Sequence, residues 1–102
     1  MVTRRQIMDK LGRVIDPELG VSIVDLGLIY EVEIENAGKQ KKIRIRMTFT
    51  TPACPMMNEL LEEMKHRLEE LGELDIEISI TFEPLWTPDR MSEKAKMKLG
   101  MI

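Results

Sequence analysis

The chain of 102 residues contains a single cysteine, a single histidine and few aromatic side chains. One cysteine excludes an internal disulfide framework and fits a reducing compartment, so we expect a cytoplasmic protein. Aromatic residues make up 4% of the chain, beside nine methionines, so aliphatic side chains and methionine must build the core. The net charge of −3 argues against a partner nucleic acid, because non-specific binding needs a basic surface.

Several sequence features are also missing. No apolar run approaches the length of a membrane span, and the amino-terminal stretch lacks the apolar core of a signal peptide, so we expect no membrane partner. No glycine-rich phosphate-binding motif and no nucleophile elbow is present. The length predicts one domain, residues 1–102, with one modest core.

The segment that organises the chain is 48–57, called here the cysteine loop, in which Cys54 stands between Pro52 and Pro55. Pro55 suits the first position of a helix, which places Cys54 at the N-cap or close to it. The unpaired N–H groups and the dipole at a helix start favour thiolate, so we predict a lowered pKa for this thiol. The alternative interpretation is a small buried residue that fills a corner.

Apolar periodicity predicts the secondary structure. Thr3 and Gln6 have capping-box spacing, and the first helix is expected to stop at about Ile15 because Pro17 disfavours helical backbone at Asp16. Alternation predicts strands over 28–35, 42–49 and 76–82, and helical spacing predicts helices over 57–71 and 92–99.

This order of elements predicts an α/β two-layer sandwich. Residues 36–40 form a hairpin connection, so the first two strands are antiparallel, and the helix between strands two and three makes these parallel. The expected fold is therefore helix-strand-strand-helix-strand-helix, a three-stranded mixed sheet with helices packed on one face.

This topology brings three connections to one end of the sheet: the acidic loop, residues 16–27, the cysteine loop, and the tryptophan segment, residues 83–91. Sites in α/β proteins gather at the carboxyl ends of strands, so we expect the functional site there. The alternative for the acids is that they merely solvate a loop.

Few chemistries fit such a site. His66 follows Cys54 by twelve residues, about 18 Å along the helix, which excludes a Cys–His dyad. One chain with these residues cannot supply four zinc ligands. What remains is a thiol beside two carboxylates and two hydroxyls, Asp16, Glu18, Thr50 and Thr51. These groups would hold iron or a cluster only weakly, or with ligands from another chain.

Four segments then point to a known family: 16–20 (DPELG), 24–30 (VDLGLIY), 50–55 (TTPACP) and 86–91 (WTPDRM). With them the chain resembles, over nearly its whole length, the stand-alone form of the SufT/PaaD-type (MIP-like) iron–sulfur cluster assembly domain. The resemblance implies a fold similar to the carboxyl-terminal domain of NifU and a role in maturing iron–sulfur proteins.

The resemblance also implies a site and partners. The residues at the family's active-site positions are Asp16, Glu18, Leu19, Thr50, Thr51 and Cys54. We expect no stably bound cofactor and a transient iron–sulfur cluster or iron at Cys54, with ligands from a partner, while the metal itself is left open. The expected partners are iron–sulfur carrier and client proteins, and a homodimer is left open.

Three departures from the family pattern limit what the resemblance implies. Leu85 stands where members often carry a second proline before the tryptophan, the CxxC pair of NifU-type scaffolds is absent, and the cysteine-rich tail of PaaD-type members is missing. We therefore expect a non-enzymatic factor that helps deliver clusters through a reactive cysteine. The alternative is a thiol-dependent enzyme or redox protein with Cys54 as nucleophile. A KH-like nucleic-acid module has the same element order, but the GxxG loop and a basic face are lacking.

Overall fold

The computed structural model describes residues 2–17, 19–37, 40–50, 57–72 and 74–100. Within these ranges the chain forms three helices and three strands in the predicted order. The elements are α1 (Arg4–Leu11), β1 (Ile29–Ala37), β2 (Gln40–Met47), α2 (Met57–Glu69), β3 (Leu74–Ile80) and α3 (Glu93–Lys98), with a 3₁₀ turn at Pro88–Arg90. No helix in the described ranges is long and apolar enough to cross a membrane.

The sheet has the order β1-β2-β3, with β2 antiparallel to β1 and parallel to β3. Met47 at the end of β2 lies opposite Ile29 at the start of β1 and opposite Ile80 at the end of β3. The mixed three-stranded sheet is therefore confirmed. We call the end of the sheet at Ile29, Met47 and Ile80 the carboxyl edge.

The two faces of the sheet differ as their alternation predicts. Ile43, Ile45 and Met47 of β2 are buried in the core together with residues of α1 and α2. The other face carries ion pairs between strands, in which Arg46 meets Glu31, Arg44 meets Glu35 and Glu77, and Lys42 meets Glu77. These pairs are partly solvated, so each contributes at most about 1 kcal/mol.

The start of α1 follows the prediction and its end does not. Thr3 Oγ1 accepts the Gln6 N–H at 3.2 Å, and the Thr3 N–H donates to Gln6 Oε1 at 2.9 Å, which is the predicted capping box. The helix ends at Leu11, however, and not at about Ile15. Ile15 instead pairs with Ser22 in a β-bridge, and its side chain is 44% exposed. Hydrogen bonds to the acidic loop thus replace the last helical turn.

The remaining helices are close to prediction. Leu60, Met64 and Leu68 of α2 are buried, while His66 is exposed as expected. Ser92 caps α3 by accepting the Ala95 N–H at 3.1 Å. At the other end of α3, Lys98 Nζ donates to the Gly20 carbonyl at 2.7 Å, which ties this helix to the acidic loop.

Candidate functional site at the carboxyl edge

The acidic loop begins as a tight hairpin. Ile15 pairs with Ser22, and the Asp16 N–H donates to the Val21 carbonyl at 2.9 Å. Asp16 is only 7% exposed, and its Oδ1 accepts the Leu19 N–H at 3.2 Å. The Leu19 side chain is 37% exposed. The Asp16 carboxylate therefore shapes the turn that presents an apolar side chain to solvent.

The cysteine loop leaves the sheet at the carboxyl edge. The Thr48 N–H donates to the Leu28 carbonyl at 2.9 Å, which continues the β1–β2 pairing by one residue beyond β2. Thr48 and Phe49 are buried, and Thr50 is partly buried. The predicted site residues Thr51 and Cys54 lie outside the described residues, as does Glu18 of the acidic loop, and so does the predicted helix cap at Cys54.

The tryptophan segment returns to the same edge after β3. The indole Nε1 of Trp86 donates to the Leu26 carbonyl at 2.6 Å. The Tyr30 hydroxyl donates to the Pro84 carbonyl at 2.8 Å, and the Arg90 guanidinium lies 4.4 Å from the centre of the Tyr30 ring. Such a cation–π contact is worth about 0.5–1 kcal/mol at an exposed position. The segment is therefore held against both the acidic loop and the start of β1.

Further contacts hold the acidic loop against Arg90 and against Ser92, the residue that follows the tryptophan segment. The Ser92 N–H donates to the Asp25 carbonyl at 2.8 Å, and the Ser92 hydroxyl donates to Asp25 Oδ1 at 3.2 Å. Gly27 has a φ of 77°, and a Cβ built there would overlap the Arg90 carbonyl oxygen. The backbones meet so closely here that only glycine fits.

The predicted convergence holds for the parts of the three connections that the structure describes. Of the six predicted site residues, Asp16, Leu19 and Thr50 belong to connections that reach this edge. The sequence reasoning missed Tyr30, Asp25 and Arg90 as the residues that join them. Only Tyr30 carried a usable signal, because a partly buried tyrosine hydroxyl usually has a hydrogen-bond partner.

Potential metal ligands do not cluster among the side chains that the structure describes. No three of the histidine, cysteine, aspartate and glutamate residues within the described ranges lie close enough together to hold a metal ion. A metal site built from such side chains would therefore need residues outside those ranges, such as Cys54 or Glu18, or ligands from another protein.

A family model described as "Iron-sulfur cluster assembly protein" matches residues 4–80. The chain belongs to this family. The match includes the acidic loop, the cysteine loop and the whole sheet, and it ends at Ile80, before the tryptophan segment.

Individual members of the iron–sulfur cluster assembly family match nearly the whole chain. The Fe-S protein maturation auxiliary factor YitW of Bacillus subtilis is 42% identical over 99 residues, covering 96% of this chain and 94% of the relative. The factor SufT of Staphylococcus aureus is 43% identical over 89 residues, covering 86% and 98%.

A solved structure shares the fold. The crystal structure of a domain of unknown function, DUF59, from Bacillus anthracis has a TM-score of 0.84 and 38% identity, and the match covers 96% of this chain and 92% of that one. The family resemblance drawn from the four sequence segments is thereby confirmed, and so is the fold class.

Proposed function

We propose that this member of the iron–sulfur cluster assembly family helps to deliver clusters to recipient proteins through the thiol of Cys54. The cluster would be cargo rather than a resident cofactor. Named relatives are maturation factors, which is compatible with a role that is not enzymatic. We further propose that the protein works in the cytoplasm.

The observation that carries this proposal is the meeting of the acidic loop and the tryptophan segment where the chain enters the cysteine loop. The Trp86 indole donates a hydrogen bond to the Leu26 carbonyl, and the Thr48 N–H donates one to the Leu28 carbonyl. The two accepting carbonyls are only two residues apart in the chain. Cys54 follows Thr50 by four residues, and a chain of four residues reaches at most about 14 Å. Covalent geometry thus supports a thiol within reach of this edge.

The chemistry of the side chains supports transient rather than permanent binding. A thiolate is a soft ligand that suits iron–sulfur clusters, whereas carboxylates and hydroxyls bind such clusters weakly. One oxygen of Asp16 is already engaged by the Leu19 N–H. A cluster bound through Cys54 would therefore need ligands from a carrier or client protein, and this sharing would allow it to be passed on.

Leu19 supplies a contact of a different kind. Its side chain is exposed although leucine usually packs inside, and the Asp16 carboxylate holds the turn that exposes it. We assign to it a part in docking the carrier or client, because an apolar side chain on a fixed turn can be buried without a large loss of conformational entropy.

The test is anaerobic reconstitution with iron and sulfide, followed by transfer to an apo-protein, with Cys54→Ser beside wild type and His66→Gln as an exposed control. We expect the Cys54→Ser variant to lose at least about tenfold in transfer rate, because a hydroxyl is a far poorer cluster ligand than a thiolate. The His66→Gln variant should transfer as wild type does.

Thermal melting of the same proteins separates function from folding. Serine is a good helix cap, so Cys54→Ser should keep its stability within about 0.5 kcal/mol. A variant that melts early and still transfers would leave Cys54 with a structural role only. A covalent substrate adduct on Cys54 without any cluster transfer would overturn the proposal in favour of a thiol enzyme.

A further inference from the structure

The strand β3 is paired on one side only. Residues Leu74–Ile80 pair in parallel with Lys41–Met47 of β2 along their whole length. Among the described residues, no strand pairs with the opposite side of β3. Part of its backbone N–H and C=O groups therefore points away from the sheet, which is the arrangement that accepts an added strand in β-augmentation.

The apolar face of β3 is also incompletely covered. Its inward side chains, Leu74, Ile76, Ile78 and Ile80, are all half-buried, whereas Ile43, Ile45 and Met47 of the neighbouring β2 are buried completely or nearly so. An added strand would cover these side chains. Natural edge strands discourage pairing with charged side chains, proline or a bulge. β3 has no proline and its register with β2 shows no bulge, and its charged side chains, Asp75 and Glu77, are both acidic, so they discourage acidic strands and not basic ones.

The other outer strand of the sheet, β1, is less open to an added strand. The pairing of β1 with β2 is irregular between Ile29 and Glu31. The tryptophan segment also lies against the start of β1, through the hydrogen bond of Tyr30 to Pro84 and the cation–π contact of Arg90 with the Tyr30 ring. The regular, uncovered side of β3 is therefore the better template for an added strand.

Charge indicates what kind of strand would bind. The outward side chains of β3 include Asp75 and Glu77, both exposed. On its paired side β3 already meets the alternating basic and apolar sequence of β2, where Lys42 lies opposite Asp75 and Arg44 opposite Glu77. The outward side chains of a strand added on the free side of β3 would lie on this same face of the sheet. Asp75 forms no ion pair within the described residues.

A second copy of this chain would fit poorly. Two β3 strands in antiparallel, fully overlapping register would bring their Glu77 carboxylates directly opposite each other. Like charges in that position are destabilising. Self-pairing is therefore disfavoured where pairing with a basic strand is favoured.

We propose that the free side of β3 binds an extended segment of a partner protein in which basic and apolar side chains alternate, as a fourth strand of the sheet. The apolar side chains of the segment would cover Leu74, Ile76, Ile78 and Ile80, and its basic side chains would lie beside Asp75 and Glu77. This inference goes beyond the proposed cluster delivery and does not depend on Cys54.

The probe is a fluorescent peptide with the sequence of residues 40–48 (QKKIRIRMT), which has the required alternation. Its control is the same peptide with each lysine and arginine replaced by glutamate. Fluorescence anisotropy should show at least tenfold tighter binding of the basic peptide. Hydrogen exchange should slow at those β3 amides that do not bond to β2, because the peptide would accept their hydrogen bonds.

Matched variants locate the site. Asp75→Lys should weaken binding of the basic peptide about fivefold and strengthen binding of the acidic peptide, because it exchanges an attractive cross-strand pair for a repulsive one. Glu33→Lys, on the outward face of β1, makes the same change in net charge and should alter binding less than twofold. The Cys54→Ser variant should bind the peptide as wild type does. Loss of peptide binding and loss of cluster transfer can therefore be told apart.

Three results would overturn the inference. If Asp75→Lys and Glu33→Lys weaken binding of the basic peptide equally, the peptide responds only to the net charge of the protein. Slowed hydrogen exchange at β1 rather than β3 would show that the peptide pairs with β1. If the protein self-associates through β3 and the basic peptide does not displace this association, the free side of β3 binds a second copy of the chain.

Discussion

The indole nitrogen of Trp86 donates a 2.6 Å hydrogen bond to the backbone carbonyl of Leu26, 60 residues earlier in the chain. This bond joins a segment that follows the last strand to a loop that precedes the first one. A tryptophan here does more than fill space, because its N–H also satisfies the Leu26 carbonyl.

We expect Trp86→Phe to lower the free energy of unfolding by about 1–2 kcal/mol. Phenylalanine keeps much of the ring packing but cannot donate, so the Leu26 carbonyl loses its partner. Urea unfolding followed by circular dichroism measures the loss. The control is Leu85→Ala next in the chain, where the side chain is 68% exposed and the expected change is within about 0.5 kcal/mol. Equal stabilities of Trp86→Phe and wild type would contradict this account of the bond.

Two glycines of the acidic loop offer a matched pair for alanine substitution. Gly20 and Gly27 have φ values of 67° and 77°, so alanine is strained at both by about 1–2 kcal/mol. At Gly20 the added methyl group meets nothing within 4 Å, whereas at Gly27 it overlaps the backbone of Arg90.

Gly27→Ala should therefore cost about 1–3 kcal/mol more than Gly20→Ala, and it should also shift the tryptophan segment. Urea unfolding gives the first quantity, and Trp86 fluorescence reports the second. Similar unfolding free energies for the two variants would show that the Gly27–Arg90 approach relaxes without cost.

Asp16 invites a comparison of two substitutions. In Asp16→Asn the amide oxygen can still accept the Leu19 N–H, whereas Asp16→Ala leaves that N–H without its partner. We expect Asp16→Ala to be less stable than Asp16→Asn by about 1 kcal/mol, with faster hydrogen exchange at the Leu19 amide. If both variants lose stability equally, the carboxylate charge rather than its acceptor oxygen holds the turn.

The thiol of Cys54 should titrate below the free-cysteine pKa of about 8.5, as its position before Pro55 predicts. Only the thiolate reacts with iodoacetamide, so the rate of alkylation in the folded protein should rise to half its maximum below that pH. The same chain unfolded in urea serves as the control and should give the ordinary value. An alkylation midpoint at or above about pH 8.5 in the folded protein would contradict the predicted lowering of the Cys54 pKa by the helix start.

Much of the fold could be predicted because its signals are local. The alternation of Val32 and Ile34 with glutamates, and of Ile43 and Ile45 with arginines, predicts both strands and the buried face of each. The hairpin and the intervening helix then determine the strand directions. These directions in turn bring the acidic loop and the tryptophan segment to one edge.

The errors and omissions come from interactions between distant residues. The apolar spacing at Val14 and Ile15 would continue α1, but pairing of Ile15 with Ser22 replaces the last turn. The Tyr30–Arg90 contact depends on the path of the tryptophan segment, whose only regular element among the described residues is the 3₁₀ turn at Pro88–Arg90. The placement of Cys54 stays a prediction from its two flanking prolines and from the family resemblance.

The three hydrogen bonds that hold the carboxyl edge have a consequence for the timing of protein synthesis. They link Tyr30 to Pro84, Leu26 to Trp86 and Asp25 to Ser92, across 54, 60 and 67 residues of chain. At ribosomal speeds of about 5–20 residues per second, the acidic-loop side of each bond is synthesised roughly 3–13 seconds before its partner. A nascent chain whose residues 84–92 have not yet been made therefore lacks a finished edge, and a protein that recognises this edge would distinguish such a chain from a folded molecule.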